Sequence, residues 1–309
     1  MSYENIAKMI DKVDMERMKS RLFYMSKDPL PYRKVNYTIP GNTKNSLEEA
    51  DDFIAQNLET AGYTVEREEC KAQAFRRDTS KPLKSQFSPP KPEDPWYSIY
   101  NLYAKKTGNK YPDEIIVFIS HKDSQSWIDS PGAYDNAVGT VANMEIAEVL
   151  AGYPSQRSMW FIFCNEEHTP WTSVTAAKKS KERGDNIIAV INIDSLGGKS
   201  QEDTDAGKKT NVTLFTEPEG EWLVDIVTEA NDKFAIGLDH RKAKRETPGD
   251  DDGSYIKEGY LSAIVNVGSS PYADPNYHAP SDKPHVVDIE NVYMSTRLTL
   301  AAGLMVDMR

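Results

Sequence analysis

Val117-Phe-Ile-Ser-His121-Lys-Asp123, followed by Gly132-Ala-Tyr-Asp135-Asn136-Ala and by Phe161-Ile-Phe-Cys-Asn-Glu166-Glu167, decides the fold, because each stretch closes an apolar or small-residue run on side chains that seek metal. The first and third runs belong to a set. Residues 114–120 (EIIVFIS), 159–164 (MWFIFC), 187–193 (IIAVINI) and 263–267 (AIVNV) are short, rich in β-branched and aromatic residues, and nearly continuous in apolarity. That pattern predicts strands covered on both faces. Between them, residues 138–150, 174–184 and 222–234 carry apolar side chains at helical spacing. Strands alternating with helices predict a three-layer α/β/α domain with a mixed, mostly parallel central sheet. In such sheets ligands bind beyond the carboxyl ends of the strands.

The polar residues follow that rule. His121 ends the first run, Glu166 and Glu167 follow the second, Asp194 closes the third, and His278 lies on the loop beyond the fourth. Imidazole and carboxylate together suit zinc or a similar divalent ion, and three protein donors with an open position mark a catalytic rather than a structural site. Two such ions sharing one carboxylate would acidify a water and stabilise a developing oxyanion. Each residue also has an ordinary reading. A histidine after a strand is usually a solvated loop residue, and His168, His240 and His285 are read that way. A Glu pair is usually a solvated corner, and Asp135-Asn136 would ordinarily be a turn.

The order of the pieces is more specific than any one of them. His121-Lys-Asp123, Gly132-Ala-Tyr-Asp135-Asn136, Glu166-Glu167, Ile193-Asp194-Ser-Leu-Gly197 and Tyr277-His278-Ala-Pro280-Ser-Asp282 resemble the di-zinc exopeptidase family that includes bacterial leucyl aminopeptidases, aminopeptidase Y and glutamate carboxypeptidase. The resemblance runs from about residue 46 to the C-terminus. It implies two Zn2+ ions, one held by His121 and Asp194, the other by Glu167 and His278, with Asp135 between them. It further implies Glu166 as general base, Asp123 as the acceptor that fixes the His121 tautomer, and a cis peptide between Asp135 and Asn136.

Two departures bear on specificity. Relatives usually continue after the Glu pair with a Gly-Leu-x-Gly-Ser stretch, whereas this chain has His168-Thr-Pro170-Trp171-Thr-Ser173. Where relatives show Ser-Asp-His-x-x-Phe, this chain has Asp250-Asp251-Asp252-Gly253-Ser254-Tyr255 and no histidine. The activity implied is that of a metallopeptidase acting as an aminopeptidase on peptide substrates. A glutaminyl cyclase-like acyltransferase, a carboxypeptidase of the same fold and a non-catalytic interaction module are the alternatives.

Composition agrees with one catalytic domain over residues 1–309. The 39% hydrophobic content suffices for a large core. A net charge of -11 without a basic stripe argues against nucleic acid and against an anionic membrane surface. No run reaches the ~18 apolar residues of a membrane span. The N-terminus lacks the apolar core of a secretory signal, so the chain as written is expected in the cytoplasm, in keeping with two unpaired cysteines, Cys70 and Cys164; a trimmed N-terminus would leave export open. Oligomeric state is not legible.

The remaining segments are expected to frame the site. Residues 1–45 read as a helical extension and Ser46-Leu-Glu-Glu49 as a capping box opening a helix that stops at Gly62. Strands near 64–70 and 98–105 should add antiparallel edges. Residues 71–95, polar and proline-rich, read as a long loop or flap. Residues 199–211 read as a flexible turn. Residues 239–255 read as a second loop, whose cations at Arg241, Lys242, Lys244 and Arg245 could select an acidic substrate group, although such charge runs are usually solvated.

Overall fold

A computed structural model describes residues 2–309. Its helices are α1 (Tyr3–Ile10), α2 (Met15–Ser26), α3 (Ser46–Thr60), α4 (Val138–Leu150), α5 (Thr172–Arg183), α6 (Gln201–Asp205), α7 (Glu221–Lys233), α8 (Asp250–Lys257) and α9 (Ile289–Met308). The strands are β1 (Val65–Ala74), β2 (Arg76–Arg77), β3 (Phe87–Ser88), β4 (Tyr97–Lys106), β5 (Tyr111–His121), β6 (Arg157–Cys164), β7 (His168–Thr169), β8 (Asn186–Ile193), β9 (Thr210–Phe215), β10 (Asp239–Lys244) and β11 (Ala263–Val267).

Nine strands form one sheet in the order β10-β9-β11-β8-β5-β6-β4-β1-β7. The central β11, β8, β5 and β6 are mutually parallel; β4 on one side and β9 on the other join them antiparallel, and β1 and β7 follow β4, each antiparallel to its neighbour. Both faces are covered. Ile116 and Phe118 of β5 point into a core shared with α1, α2, α4, α7 and α9, while Ile115, Val117 and Ile119 point toward α5 and α8. This double burial is the reason the central strands read as unbroken apolar runs. Where α9 crosses the sheet it needs Gly303, since a Cβ there would lie 2.3 Å from the Phe118 ring.

Several expectations change. Among the described residues before Ser46 only α1 and α2 are helical, and they belong to the main core rather than extending from it. Glu145 of α4, fully buried, accepts hydrogen bonds from Arg17 Nε at 2.8 Å and Asp14 N at 2.7 Å. Helix α3 is capped one residue earlier than expected. The capping box is Asn45 with Glu48, because the Asn45 side chain accepts from the Glu48 amide while Glu48 accepts from the Asn45 amide. Residues 199–211 are not a flexible turn. They hold α6 and the start of β9, anchored by Lys199, whose buried ammonium bonds Asp288 at 2.7 Å and Asn291 at 2.8 Å. Residues 239–255 are likewise not a loop but contain the edge strand β10 and helix α8. The flap begins after Ala74, since residues 71–74 continue β1.

Candidate metal centre

The central strands end at one edge of the sheet, and the polar residues gather there. β5 ends on His121, the chain after β6 carries Glu166 and Glu167, Asp194 follows β8, and the loop after β11 brings Tyr272 and His278. Asp135 arrives from the turn that opens α4. The peptide between Asp135 and Asn136 is cis, and Gly132, at φ 57°, starts the turn. A Cβ at Gly132 would meet the Asp135 carbonyl at 2.3 Å.

Two three-donor groups result. His121, Asp135 and Asp194 form one, Asp135, Glu167 and His278 the other, and in each the ligand-capable atoms lie within 4.8 Å of one another. His121 Nε2 is 3.2 Å from Asp135 Oδ1 and 3.5 Å from Asp194 Oδ1. His278 Nε2 is 3.1 Å from Asp135 Oδ2 and 3.4 Å from Glu167 Oε1. Asp135 thus turns one oxygen to each group. All five residues are buried. Two imidazoles and three carboxylates without thiolate form a donor set that fits zinc or a related divalent ion.

Behind the donors lies a layer that fixes them. Asp123 Oδ1 faces His121 Nδ1 at 3.2 Å and accepts from the Glu166 amide at 3.0 Å, while Oδ2 accepts from the Glu167 amide at 2.8 Å and faces His168 Nδ1 at 2.7 Å. One carboxylate therefore ties the end of β5 to the Glu pair. Burial works against its charge, but the hydrogen bonds from His121 and His168 outweigh burial and hold it below the ordinary aspartate range. His168, expected as a solvated loop residue, is completely buried. Gln125 Nε2 donates to Asp135 Oδ2 at 2.9 Å and Glu167 Oε1 at 3.0 Å, and Asp282 accepts from the Tyr134 and Asp135 amides at 2.8 and 3.1 Å. Tyr272 donates its hydroxyl to Asp194 Oδ2 at 2.7 Å.

Arg33 supports this layer from below. Its fully buried guanidinium donates to the carbonyls of Met25, Lys122 (2.7 Å), Pro131 (2.8 Å) and Gly132 (2.8 Å). Burial lowers its pKa to about 10, with Asp123, Asp282 and Asp135 opposing, so it stays a cation at neutral pH. Asn136 performs a similar task with its amide, bonding Ile193 O, Ser195 N and Gly139 N at 2.9, 3.1 and 2.9 Å. Nothing in the sequence around Arg33, Gln125 or His168 distinguishes them from surface residues.

Electrostatics separates the two glutamates. Burial, followed by the charges of Asp251 and Asp250, pushes the Glu166 carboxyl well above its ordinary range, and its Oε2 is buried without a hydrogen-bond partner. Burial and then Asp135 raise Glu167 to about 7, with His278 opposing. His121 is burdened by burial yet lifted well above the ordinary imidazole range by Asp123, Asp135 and Asp194.

A cavity of about 270 Å3 opens onto Asp135, Glu166, Glu167, Asp194 and both histidines. Its walls are aromatic: Phe75 and Phe87 from the flap, Trp127, Trp171, Tyr272 and Tyr277. Arg241, Lys242, Lys244 and Arg245 are absent from those walls, in keeping with the ordinary reading of a charge run rather than with selection of an acidic substrate group. Lys242 pairs with Asp225 at 3.1 Å on the outer edge, and Arg245 is taken up by Asp250 (2.7 Å) and Asp252. Of the tripled aspartates, Asp250 reaches the cavity.

Residues 101–302 match the Peptidase family M28. A probable zinc metalloprotease of Pyrenophora teres f. teres is 31% identical over 158 residues, 48% of this chain and 32% of that protein. A probable aminopeptidase of Saccharomyces cerevisiae is 24% identical over 217 residues, 65% of this chain and 55% of its own. The matched stretch spans about a third of the length of the fungal zinc metalloproteases. Among solved structures, the LapA aminopeptidase of Legionella pneumophila superposes with a TM-score of 0.74 at 18% identity, over 100% of this chain and 76% of that one. A glutaminyl cyclase of Bacteroides thetaiotaomicron does so with a TM-score of 0.70 at 16% identity, over 94% and 97%. The fold is thus common to both kinds of neighbour.

Proposed function

The chain belongs to peptidase family M28, and from that premise we propose that it is a zinc-dependent aminopeptidase removing the N-terminal residue of peptides. The observation that carries the reading is the split of Asp135, whose Oδ1 faces the His121 and Asp194 group and whose Oδ2 faces the His278 and Glu167 group. In this reading His121 and Asp194 hold one ion, Glu167 and His278 hold the other, and Asp135 is shared. When bound, the ions supply polarisation of the scissile carbonyl and a lowered pKa for water.

The chain's own groups do the rest. Glu166 carries an unpartnered oxygen beside the cavity, so it is free to take a proton from water and pass it to the leaving amine. Asp123 keeps the proton of His121 on Nδ1 and leaves Nε2 to the ion. Asp123, Asp135, Glu166, Glu167 and Asp194 set five carboxyl groups against the four charges of two dications, so with the ions bound and all five ionised the site would retain negative charge for a substrate α-amine. The aromatic walls exclude water and favour an apolar first residue.

The test separates the neighbouring glutamates. Glu166→Gln is expected to keep both ions while kcat falls by ~10² or more, the usual scale of a lost general base, and Glu167→Gln to weaken metal binding itself. Near-normal kcat for Glu166→Gln at saturating metal would overturn the assignment. The structural kinship with glutaminyl cyclases supports a second reading, intramolecular acyl transfer. Metal analysis with aminoacyl anilides and glutaminyl peptides decides between them: one ion on Asp135, Glu167 and His278 with cyclisation of glutaminyl peptides would favour the second.

A further inference from the structure

The two histidines of the site are oriented by different means. His121, the last residue of β5, finds its Nδ1 partner two residues further along the chain, in Asp123. His278 sits in residues 268–283, which hold no helix or strand, at a φ of 55° unfavourable for a side-chain-bearing residue. Its Nδ1 faces the main-chain carbonyl of Lys84 at 2.8 Å, at the tip of the flap and 194 residues away in sequence. A carbonyl accepts only, so this contact puts the ring proton on Nδ1 and directs the Nε2 lone pair to Asp135 and Glu167.

Lys84 holds that position from both of its ends. Its ammonium donates to the carbonyl of Asp274 at 2.6 Å, four residues before His278 on the same loop. Further down the hairpin, Phe87 meets the His278 ring edge-on at 6.1 Å and the Trp127 ring at 5.2 Å. The base is fixed separately, by Arg76 bonded twice to Asp94 at 2.6 Å and by the Phe75 amide on Ser126 Oγ at 2.9 Å. Residues 78–86 contribute nothing to the core, being exposed or half-buried, and their other hydrogen bonds close within the hairpin, as from the Asp78 amide to Gln86 O at 2.8 Å.

We infer that Lys84 is a positioning residue for His278, so that the lowered flap tightens the ion held by Asp135, Glu167 and His278 while leaving the ion held by His121 and Asp194 unaffected. The inference rests on His278 being a ligand. It makes one segment both a wall of the cavity and a determinant of metal retention, so that movement of the flap away from the site loosens one ion selectively.

The experiment uses the full chain with Zn2+ and Co2+, in four forms: residues 78–86 replaced by an Asn-Gly turn, Lys84→Ala, Lys84→Arg and His278→Ala. Chelator competition gives the affinity of each ion, the Co2+ absorption spectrum reports the ligand field, and circular dichroism of the chelator-treated forms reports folding. The tip replacement is expected to weaken one ion by about 10–100-fold, the scale for loss of a ligand's outer partner, with the other unchanged. Lys84→Ala should move the same way by less, and Lys84→Arg should restore wild-type affinity. Because Lys84→Ala leaves the hairpin intact, it decides the matter if the tip replacement folds poorly. Wild-type affinity for both ions in the tip replacement and in Lys84→Ala would overturn the inference, as would equal weakening of both. Two tightly held ions in His278→Ala would instead overturn the ligand assignment on which it rests.

Discussion

Asp251→Asn is the most informative single change away from the donors themselves. Asp251 is completely buried, and the side chains its carboxyl meets are those of Cys164 and Ser173. Burial raises its pKa from 3.8 to about 6, with His121 opposing. The folded state therefore binds more protons than the unfolded state between about pH 4 and 6, and stability falls as pH rises through that window. The neutral acid's contribution is whole below the unfolded pKa and is lost once pH passes the folded one. Two units correspond to about 3 kcal/mol at 1.36 kcal/mol per unit. Asparagine has the same shape and no charge to desolvate, so urea unfolding at matched metal concentration should show the variant gaining on wild type by about 3 kcal/mol between pH 4 and pH 8. A stability difference independent of pH would refute the reasoning. Since Asp251 also raises Glu166, the acidic limb of kcat/KM should move to lower pH in the variant.

Three further outcomes are expected. Asp51→Asn should destabilise by about 3 to 5 kcal/mol, because it leaves Lys122, completely buried and 2.9 Å from Asp51, without its counter-charge; Lys122→Met combined with Asp51→Leu should unfold at a urea concentration near that of wild type. Gly139→Ala would put a Cβ 2.3 Å from Ile193 O and from Asn136 Oδ1, so it should cost about 1 to 3 kcal/mol by overpacking and, by displacing Asp194, weaken the His121 ion in chelator competition. N-acetylation of a dipeptide should lower kcat/KM at least about tenfold, since a blocked amine leaves buried carboxylates unpaired; greater sensitivity to amidation of its carboxylate would point to a carboxypeptidase.

The central strands were legible because double burial leaves a mark in one dimension: a strand with no wet face has no polar alternation, and residues 114–120 and 187–193 show none. His121, Glu166, Glu167 and Asp194 could be placed because they end or follow such runs; the structure groups His121, Glu167 and Asp194 with Asp135 and His278 and sets Glu166 in the wall of the same cavity. What escaped depends on pairing across space. TNVTLF of β9 reads as half-polar, yet all six residues are buried, and Thr213 meets its need by donating to Asn266 at 2.6 Å. Arg33 and His168 look like surface residues until the carbonyls and carboxylate that receive them are in place. The cations of residues 239–246 left two readings open for the converse reason, since an edge strand and a substrate loop carry the same charges in sequence.

Arg33 also constrains the order in which the molecule is made. It leaves the ribosome about ninety residues before Lys122 and about a hundred before Pro131 and Gly132, whose carbonyls receive it. Until those loops exist the guanidinium has, apart from the Met25 carbonyl, only water for a partner, and burying it early would leave a cation short of acceptors in an apolar interior. The segment around Arg33, made before those loops, is therefore expected to dock only after they have formed. Its docking ties the turn that carries Asp135 to the bend that follows His121, so completion of this segment and completion of the donor set are expected to be coupled in folding.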